Sequence, residues 1–555
     1  MTETQPQKSL FPLLLAAWTF LNLLQAIFTE VHTDEAVYFT WAQRLDWGFF
    51  DHPPFVAFLI WLGSAFLEQE AGVRLMTVLL QPATLWLVWH TLDQRKYENR
   101  SVVLFFVIAG SMVMFTAYGF ITTPDVPLLF FTALFLFAYK KFLNRESFLA
   151  VTLLAVSMAG LVYSKYHGVL VIGFVIFSNL RLLLNGRFWV AGIAGMLLCA
   201  PHFGWLVKND FPSFQYQFAA FHFNWKHFLE YIPNQLVAFN PATAILLIIA
   251  LLRKKPAHLF ERGLYFVALG VLLFFWALAF KGHVQAQWTV AASIPAILLL
   301  HNRAMQRREI AKAVRTFVAP TLLILLAARV ALVTDLLPRS LGLNGKAMQY
   351  LQLSKRAQTK PVVFTRAYQQ AALYHFFTGK PATSISSLAI RKSQYDIWRL
   401  DRDWARDSVY IVLQSATSNI YRPGPDEIRE FIADHLQTPN DLEIRYEFHQ
   451  PALQTGDSVS LDFSIRNRGP LSVNFKDSLY GIRVRPVFRD AQGYVFSAEA
   501  QQRDSIAILE PEGIHASRLS FRVPELPRGT YRFGLSCMSL FGPAANSLFI
   551  RVRVR

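Results

Sequence analysis

Carboxylates, histidines and lysines are concentrated in a few short polar stretches between long apolar runs. The first stretch reads Thr33-Asp34-Glu35-Ala36, followed by Leu45-Asp46-Trp47-Gly48-Phe49-Phe50-Asp51-His52-Pro53-Pro54. A carboxylate such as Asp34 can take a proton from an acceptor hydroxyl. Asp51 and His52 together are suited to a metal ion or a phosphate. The second stretch is Thr122-Thr123-Pro124-Asp125, the third Tyr163-Ser164-Lys165-Tyr166-His167, and the fourth Lys281-Gly282-His283-Val284-Gln285. Lys165 and Lys281 have the charge to neutralise a phosphate leaving group. Each stretch also has a purely structural account. Thr33 and Thr123 stand where a helix N-cap is expected, with acids in the first turn. Interfacial lysines among Tyr and Trp commonly do no more than snorkel. What favours a site is that all four stretches fall on one face of the membrane.

That face follows from the apolar runs. A bilayer core about 30 Å thick needs roughly 20 mostly apolar helical residues. The spacing predicts about eleven such spans before residue 336, at 10–28, 72–90, 101–117, 126–139, 148–163, 168–184, 188–206, 236–252, 263–280, 288–301 and 315–335. The shorter run 54–67 is expected to lie along the surface or dip in partway. With the N-terminus in the cytoplasm, the inner loops hold Arg95, Lys96, Lys140, Lys141, Lys254, Lys255, Arg303, Arg307 and Arg308 among others. The outer loops before the tail hold only Arg44, Arg74, Lys165, Lys208, Lys226 and Lys281. This asymmetry is the positive-inside pattern, and it accounts for the net charge of +17 without nucleic acid. The chain therefore reads as a polytopic α-helical membrane protein.

The tail, expected outside the membrane, reads in two parts. Residues 336–439 suggest a small α/β segment, with strands near 362–365 and 409–413 and a helix over 366–377. Residues 440–555 suggest a β-sandwich, because apolar residues alternate: Val459, Leu461, Phe463 and Ile465, then Leu519, Phe521 and Val523, then Leu548, Ile550, Val552 and Val554. The two cysteines, Cys199 and Cys537, do not suggest a disulfide. No P-loop, GxGxxG or His-Glu-x-x-His motif occurs, which argues against an ATP-driven pump or a zinc protease.

The order Asp34-Glu35, then Leu45 to Pro54, then Arg74-Leu75, then Thr123-Pro124-Asp125 resembles the dolichyl-phosphate-mannose-protein mannosyltransferase-like family, which includes the aminoarabinose transferases and has the GT-C membrane fold. The resemblance covers about 10–300 and assigns the sandwich to an accessory domain, with 1–335 as the transferase domain. It implies an inverting transfer of a sugar from a polyprenyl phosphate, undecaprenyl phosphate in bacteria, to a lipid, glycan or protein acceptor outside the cytoplasmic membrane. Asp34 matches the family's first-loop catalytic carboxylate, with Glu35 beside it, and Asp125 a further functional acid. His52 stands where the aminoarabinose enzymes carry Lys. With Lys165, Lys281 and His283, the last two placed by position, it forms the expected donor-phosphate group. A divalent metal ion is expected at Asp51 and His222. The competing reading is a lipid-linked sugar flippase. It predicts charges in mid-span and broken helices.

Overall fold

A computed structural model of the chain describes residues 10–92, 99–218, 225–253, 255–334, 336, 345–365, 367–415, 420–421 and 427–555. Two compact units divide at 346/347.

The first unit is helical. Its elements are α1 (Leu10–Phe28), α2 (Thr33–Ala42), α3 (Phe55–Ser64), α4 (Gln69–Thr91), α5 (Asn99–Ser111), α6 (Val113–Ala117), α7 (Asp125–Asn144), α8 (Phe148–Ser164), α9 (Gly168–Ser178), α10 (Gly186–Leu198), α11 (Ala200–Lys208), α12 (Pro212–Phe218), α13 (Trp225–Phe239), α14 (Pro241–Arg253), α15 (Leu259–Leu278), α16 (Ser293–Gln306), α17 (Arg308–Ala313) and α18 (Ala319–Val333). The centre is α7, which packs against α4 and α8, while α15 packs against α9. Glycines permit the close approaches. A Cβ at Gly160 of α8 would lie 2.2 Å from the Phe131 ring, and one at Gly270 of α15 2.5 Å from Phe174. Small residues at such crossings are what bring helices together where lipid offers no hydrophobic drive.

The span pattern is more broken than the apolar runs suggest. Among the described residues five helices are long and apolar enough to cross a membrane, or seven if each of two bent pairs is one span. The pairs are α10 with α11, bent by 46°, and α13 with α14, bent by 101°. The run 236–252 is thus no single span. It breaks at Asn240, whose φ of 67° is left-handed, just before Pro241. The run 101–117 divides at Met112 into α5 and α6, and 168–184 ends in a 3-10 turn after Ser178. Over 54–67 the helix is only ten residues long, about 15 Å at 1.5 Å per residue.

The second unit begins with α19 (Lys346–Ala357), most of which lies in it, then β1 (Val362–Phe364), α20 (Tyr368–Thr378), β2 (Ala382–Ser384), α21 (Gln394–Trp398), α22 (Leu400–Asp403), β3 (Val409–Ser415), β4 (Ile420–Tyr421) and β5 (Glu427–Ala433). The first sheet runs β2-β1-β3-β5, with β1 parallel to both neighbours and β5 antiparallel at the edge. Among the described residues three further sheets, of seven, four and two strands, follow, and β4 joins the largest. In the four-stranded one, Ser458–Asn467 pairs with Ile514–Arg522 so that Leu461 faces Leu519 and Val459 faces Phe521, all buried. That alternation puts one face of each strand in a core with Phe533 and Leu535. Leu548 differs from its expected set. It lies outside the last strand, Ile550–Val554, and is exposed. Both cysteine thiols are free and buried.

Candidate active site

The first polar stretch builds α2 around a capping box. The cap is His32, not Thr33: its Nδ1 accepts from the Asp34 N–H, and Glu35 reaches back to the His32 N–H at 2.8 Å. Glu35 is fully buried. Its Oε1 accepts from Arg74 Nε and the Thr122 N–H, both at 2.8 Å, and its Oε2 also accepts from Arg74 Nη2 at 2.6 Å. Arg74 spends its remaining donors on the carbonyls of Ala26, Thr29 and Glu30. This corrects two expectations. Glu35 has no lone pair left for a substrate proton, so it positions rather than catalyses. Arg74 is no loop charge but a buried residue of α4 that ties together α1, α2 and the turn before α7.

Asp34 has the opposite surroundings. Its side chain is 53% exposed, and His32 Nδ1 lies 3.8 Å from its Oδ2. Its charge reaches the buried phenol of Tyr118, which hydrogen-bonds Asp125. Asp125 opens α7, whose N-cap is Pro124 rather than the expected Thr123, although Thr123 Oγ1 accepts the Asp125 N–H at 3.3 Å. Its carboxylate nevertheless goes elsewhere, accepting from Lys165 Nζ at 2.8 Å in a buried ion pair.

The second half of the loop, Leu45 to Pro54, is largely scaffold. Asp46 accepts from Trp205 Nε1 at 2.8 Å, and the Trp47 carbonyl bonds His202 at 2.7 Å. Phe49 stacks on Trp41. Gly48 lies so close to Trp205 that a Cβ would meet its ring at 2.4 Å. These contacts aim Asp51 and His52 into a cavity of about 510 Å³.

That cavity collects the expected donor-phosphate residues. His52, Lys165, Lys281 and His283 all line it, with Asp51 and His167. Its remaining wall is apolar and runs onto α9 and α15 through Leu170, Phe274 and Leu278. Burial, aided by the Lys165 cation, pushes the His52 imidazole down to about 3, so it is neutral at ordinary pH. His167 is lowered well below the usual histidine range by burial, Lys165 and His52. Lys165 and Lys281 thus line the cavity beside His52 and His167, two rings shifted toward the neutral form, an arrangement that can take an anion.

The expected metal pair is not described, because His222 falls among residues 219–224, outside the described set. His227, Glu230 and His283 instead bring their ligand atoms within 4.8 Å of one another. His227 Nδ1 lies 3.4 Å from Glu230 Oε2. That spacing matches two ligands on one tetrahedral ion with bonds of about 2.0–2.2 Å. The sequence signal was present, His and Glu three apart on one helix face, but it was lost among the many aromatics of that stretch.

The crystal structure of ArnT from Cupriavidus metallidurans bound to undecaprenyl phosphate matches this chain with a TM-score of 0.56 at 13% identity, covering 73% of this chain and 93% of that one. Its apo form matches with a TM-score of 0.53, covering 72% and 92%. The fold is the GT-C fold. The model of the dolichyl-phosphate-mannose-protein mannosyltransferase family matches residues 51–205, in agreement with the family resemblance; the matched stretch holds Asp51, His52, Arg74 and Asp125 and begins after Asp34 and Glu35. A curated relative, the lipid A galacturonosyltransferase RgtD of Rhizobium johnstonii, is 22% identical over 291 residues, which cover 49% of this chain. The chain spans 60% of that relative's length.

Proposed function

We propose that the chain is an inverting glycosyltransferase of the bacterial inner membrane. It takes a sugar from a polyprenyl phosphate such as undecaprenyl phosphate and passes it to a lipid, glycan or protein acceptor. The N-terminus lies in the cytoplasm, and the site and the second unit lie outside. The observation that carries this reading is the cavity where His52, Lys165, Lys281 and His283 meet an apolar wall. Such a cavity suits an anionic head on a hydrocarbon chain, and the ArnT structure was solved with undecaprenyl phosphate bound. The named relatives are transferases, which favours transfer over flipping.

In the step itself, the acceptor oxygen forms a bond to the anomeric carbon as the carbon–oxygen bond to phosphate breaks. Asp34 takes the acceptor proton, and the phosphate leaves with the bonding electrons into the cationic wall. Asp125 acts from behind, holding Lys165 and Tyr118. His227, Glu230 and His283 would hold a divalent metal ion. When bound it would supply a fixed positive charge, and those residues would brace the His283 loop against α13.

Asp34→Asn is the direct test. Loss of a general base costs about 10²–10⁴-fold in rate. The variant should bind undecaprenyl phosphate normally by native mass spectrometry, yet fail to restore the sugar missing from envelope glycolipids or glycoproteins of cells that lack the protein. Full restoration would refute the assignment of Asp34.

A further inference from the structure

The second unit contains a small polar pocket that the transferase reading does not use. It opens beyond the carboxyl end of β2, where the chain leaves the parallel part of the sheet. Crevices at the carboxyl ends of parallel strands are where open α/β sheets take ligands. Its volume is about 110 Å³. This is well short of the roughly 300–1,000 Å³ of a cofactor or drug-sized site.

The lining combines fixed hydrogen-bonding groups with balanced charge. Ser384, Ser387, Lys392, Asp396, Arg399 and Asn440 face the space, with the buried Tyr395 ring in the wall. Arg399 is held in a left-handed conformation, φ 56°, an arrangement that costs a non-glycine residue and recurs at ligand sites. Its guanidinium is clamped by Asp401, with Nε at 3.0 Å and Nη2 at 3.2 Å, and by Asp441, with Nη1 at 2.7 Å. The two carboxylates fix its plane, with Asp441 shared between Arg399 and Arg402. Asp396 accepts from the Ser386 hydroxyl and, at 2.7 Å, from the Ser393 N–H. Asn440 donates to Asp401 at 3.4 Å. The carboxylates Asp396 and Asp401 offset Lys392 and Arg399, so the site offers a phosphate or carboxylate no net attraction. What remains is a set of oriented planar donors and acceptors, several hydroxyls and one aromatic ring. Vicinal hydroxyls on a small ring answer that set.

We propose that this pocket binds one neutral sugar residue, seated edgewise through its open side. The reading does not depend on the chemistry of the membrane unit.

The test uses the full-length protein in nanodiscs and saturation-transfer NMR with methyl hexosides, a uronic acid and inorganic phosphate as separate probes. A methyl hexoside should bind in the millimolar range. Ser387→Trp, which fills the pocket, should weaken it by about tenfold or more, equivalent to about 1.4 kcal/mol. Undecaprenyl phosphate should not displace it. Asn440→Ala gives a second reading if Ser387→Trp does not fold, and should also weaken binding. Hexoside binding that is absent, or indifferent to both variants, or displaced by undecaprenyl phosphate would overturn the proposal. So would binding of the uronic acid or phosphate alone.

Discussion

Two buried ion pairs of the membrane unit stand only a few residues apart along the 122–125 turn, and they are built for different work. Glu35–Arg74 is closed. Every carboxylate oxygen and every guanidinium nitrogen has a fixed partner, and the Thr122 N–H supplies one of them. Asp125–Lys165 is open. It has one ion-pair bond and a phenol, and Lys165 also faces the cavity. Burying charge is costly unless it is paired and its other hydrogen-bonding capacity is filled. The first pair meets that condition within the protein. The second leaves part of the requirement to whatever occupies the cavity, which is how a scaffold differs from a site.

Breaking the closed pair should have the largest effect. Glu35→Ala strands the Arg74 cation in a dry interior, a loss of about 3–5 kcal/mol for a buried pair. Thermal unfolding in detergent should show little or no folded protein, and Arg74→Ala should behave alike. A fold that tolerated either change would mean that the pair is not the brace described here.

The open pair should respond in activity and affinity before stability. Asp125→Asn frees the Lys165 charge toward the cavity, so undecaprenyl phosphate should bind about tenfold more tightly, while Lys165→Ala should weaken it by a similar factor, each about 1.4 kcal/mol. Native mass spectrometry of the two variants reads the signs directly. Equal losses in both would show that Asp125 and Lys165 act only as structure.

The difference between the pairs was only partly legible in the sequence. The resemblance singled out Asp34, His52 and Asp125, and loop position put Lys165, Lys281 and His283 on the same face of the membrane; only the structure brings His52 and those three to one cavity. Arg74 was counted among loop charges, although an arginine flush against an apolar run already asks for a buried partner. The partner, Glu35, was hidden because the cap three residues before it is His32 rather than the Ser or Thr of a standard capping box. The helices were legible where one apolar run makes one span, as in α1 and α15. They were not where local backbone breaks interrupt the run, as at Asn240. Hydropathy sums over such a break, and only the Asn-Pro pair marks it. In the second unit the period-two strands could be read directly, but the pocket beside β2 could not, because Ser384, Arg399 and Asn440 meet only through the fold.

The last expected effect concerns His52, and its sign is fixed by the direction of its shift. The folded imidazole sits at about 3, against 6.5 when unfolded. The charged groups facing it are Lys165 and its ion-pair partner Asp125, with His167 beside them and Asp51 next in the chain. Because the unfolded chain takes up the proton first, His52 adds no pH dependence above about pH 6.5 and lowers stability as pH falls from there toward 3. Unfolding temperature should therefore decline on acidification more steeply than in His52→Gln, which lacks the titration. An anion in the cavity reverses the local balance by favouring the charged ring. With undecaprenyl phosphate bound, the folded ring takes up its proton more readily, so the decline below about pH 6.5 should be smaller, and binding near pH 6 should be accompanied by proton uptake that His52→Gln does not show. If the wild type and His52→Gln lost stability in parallel, His52 would not be held neutral in the empty cavity, and the contrast between a closed scaffold and an anion-completed site would rest on Lys165 alone.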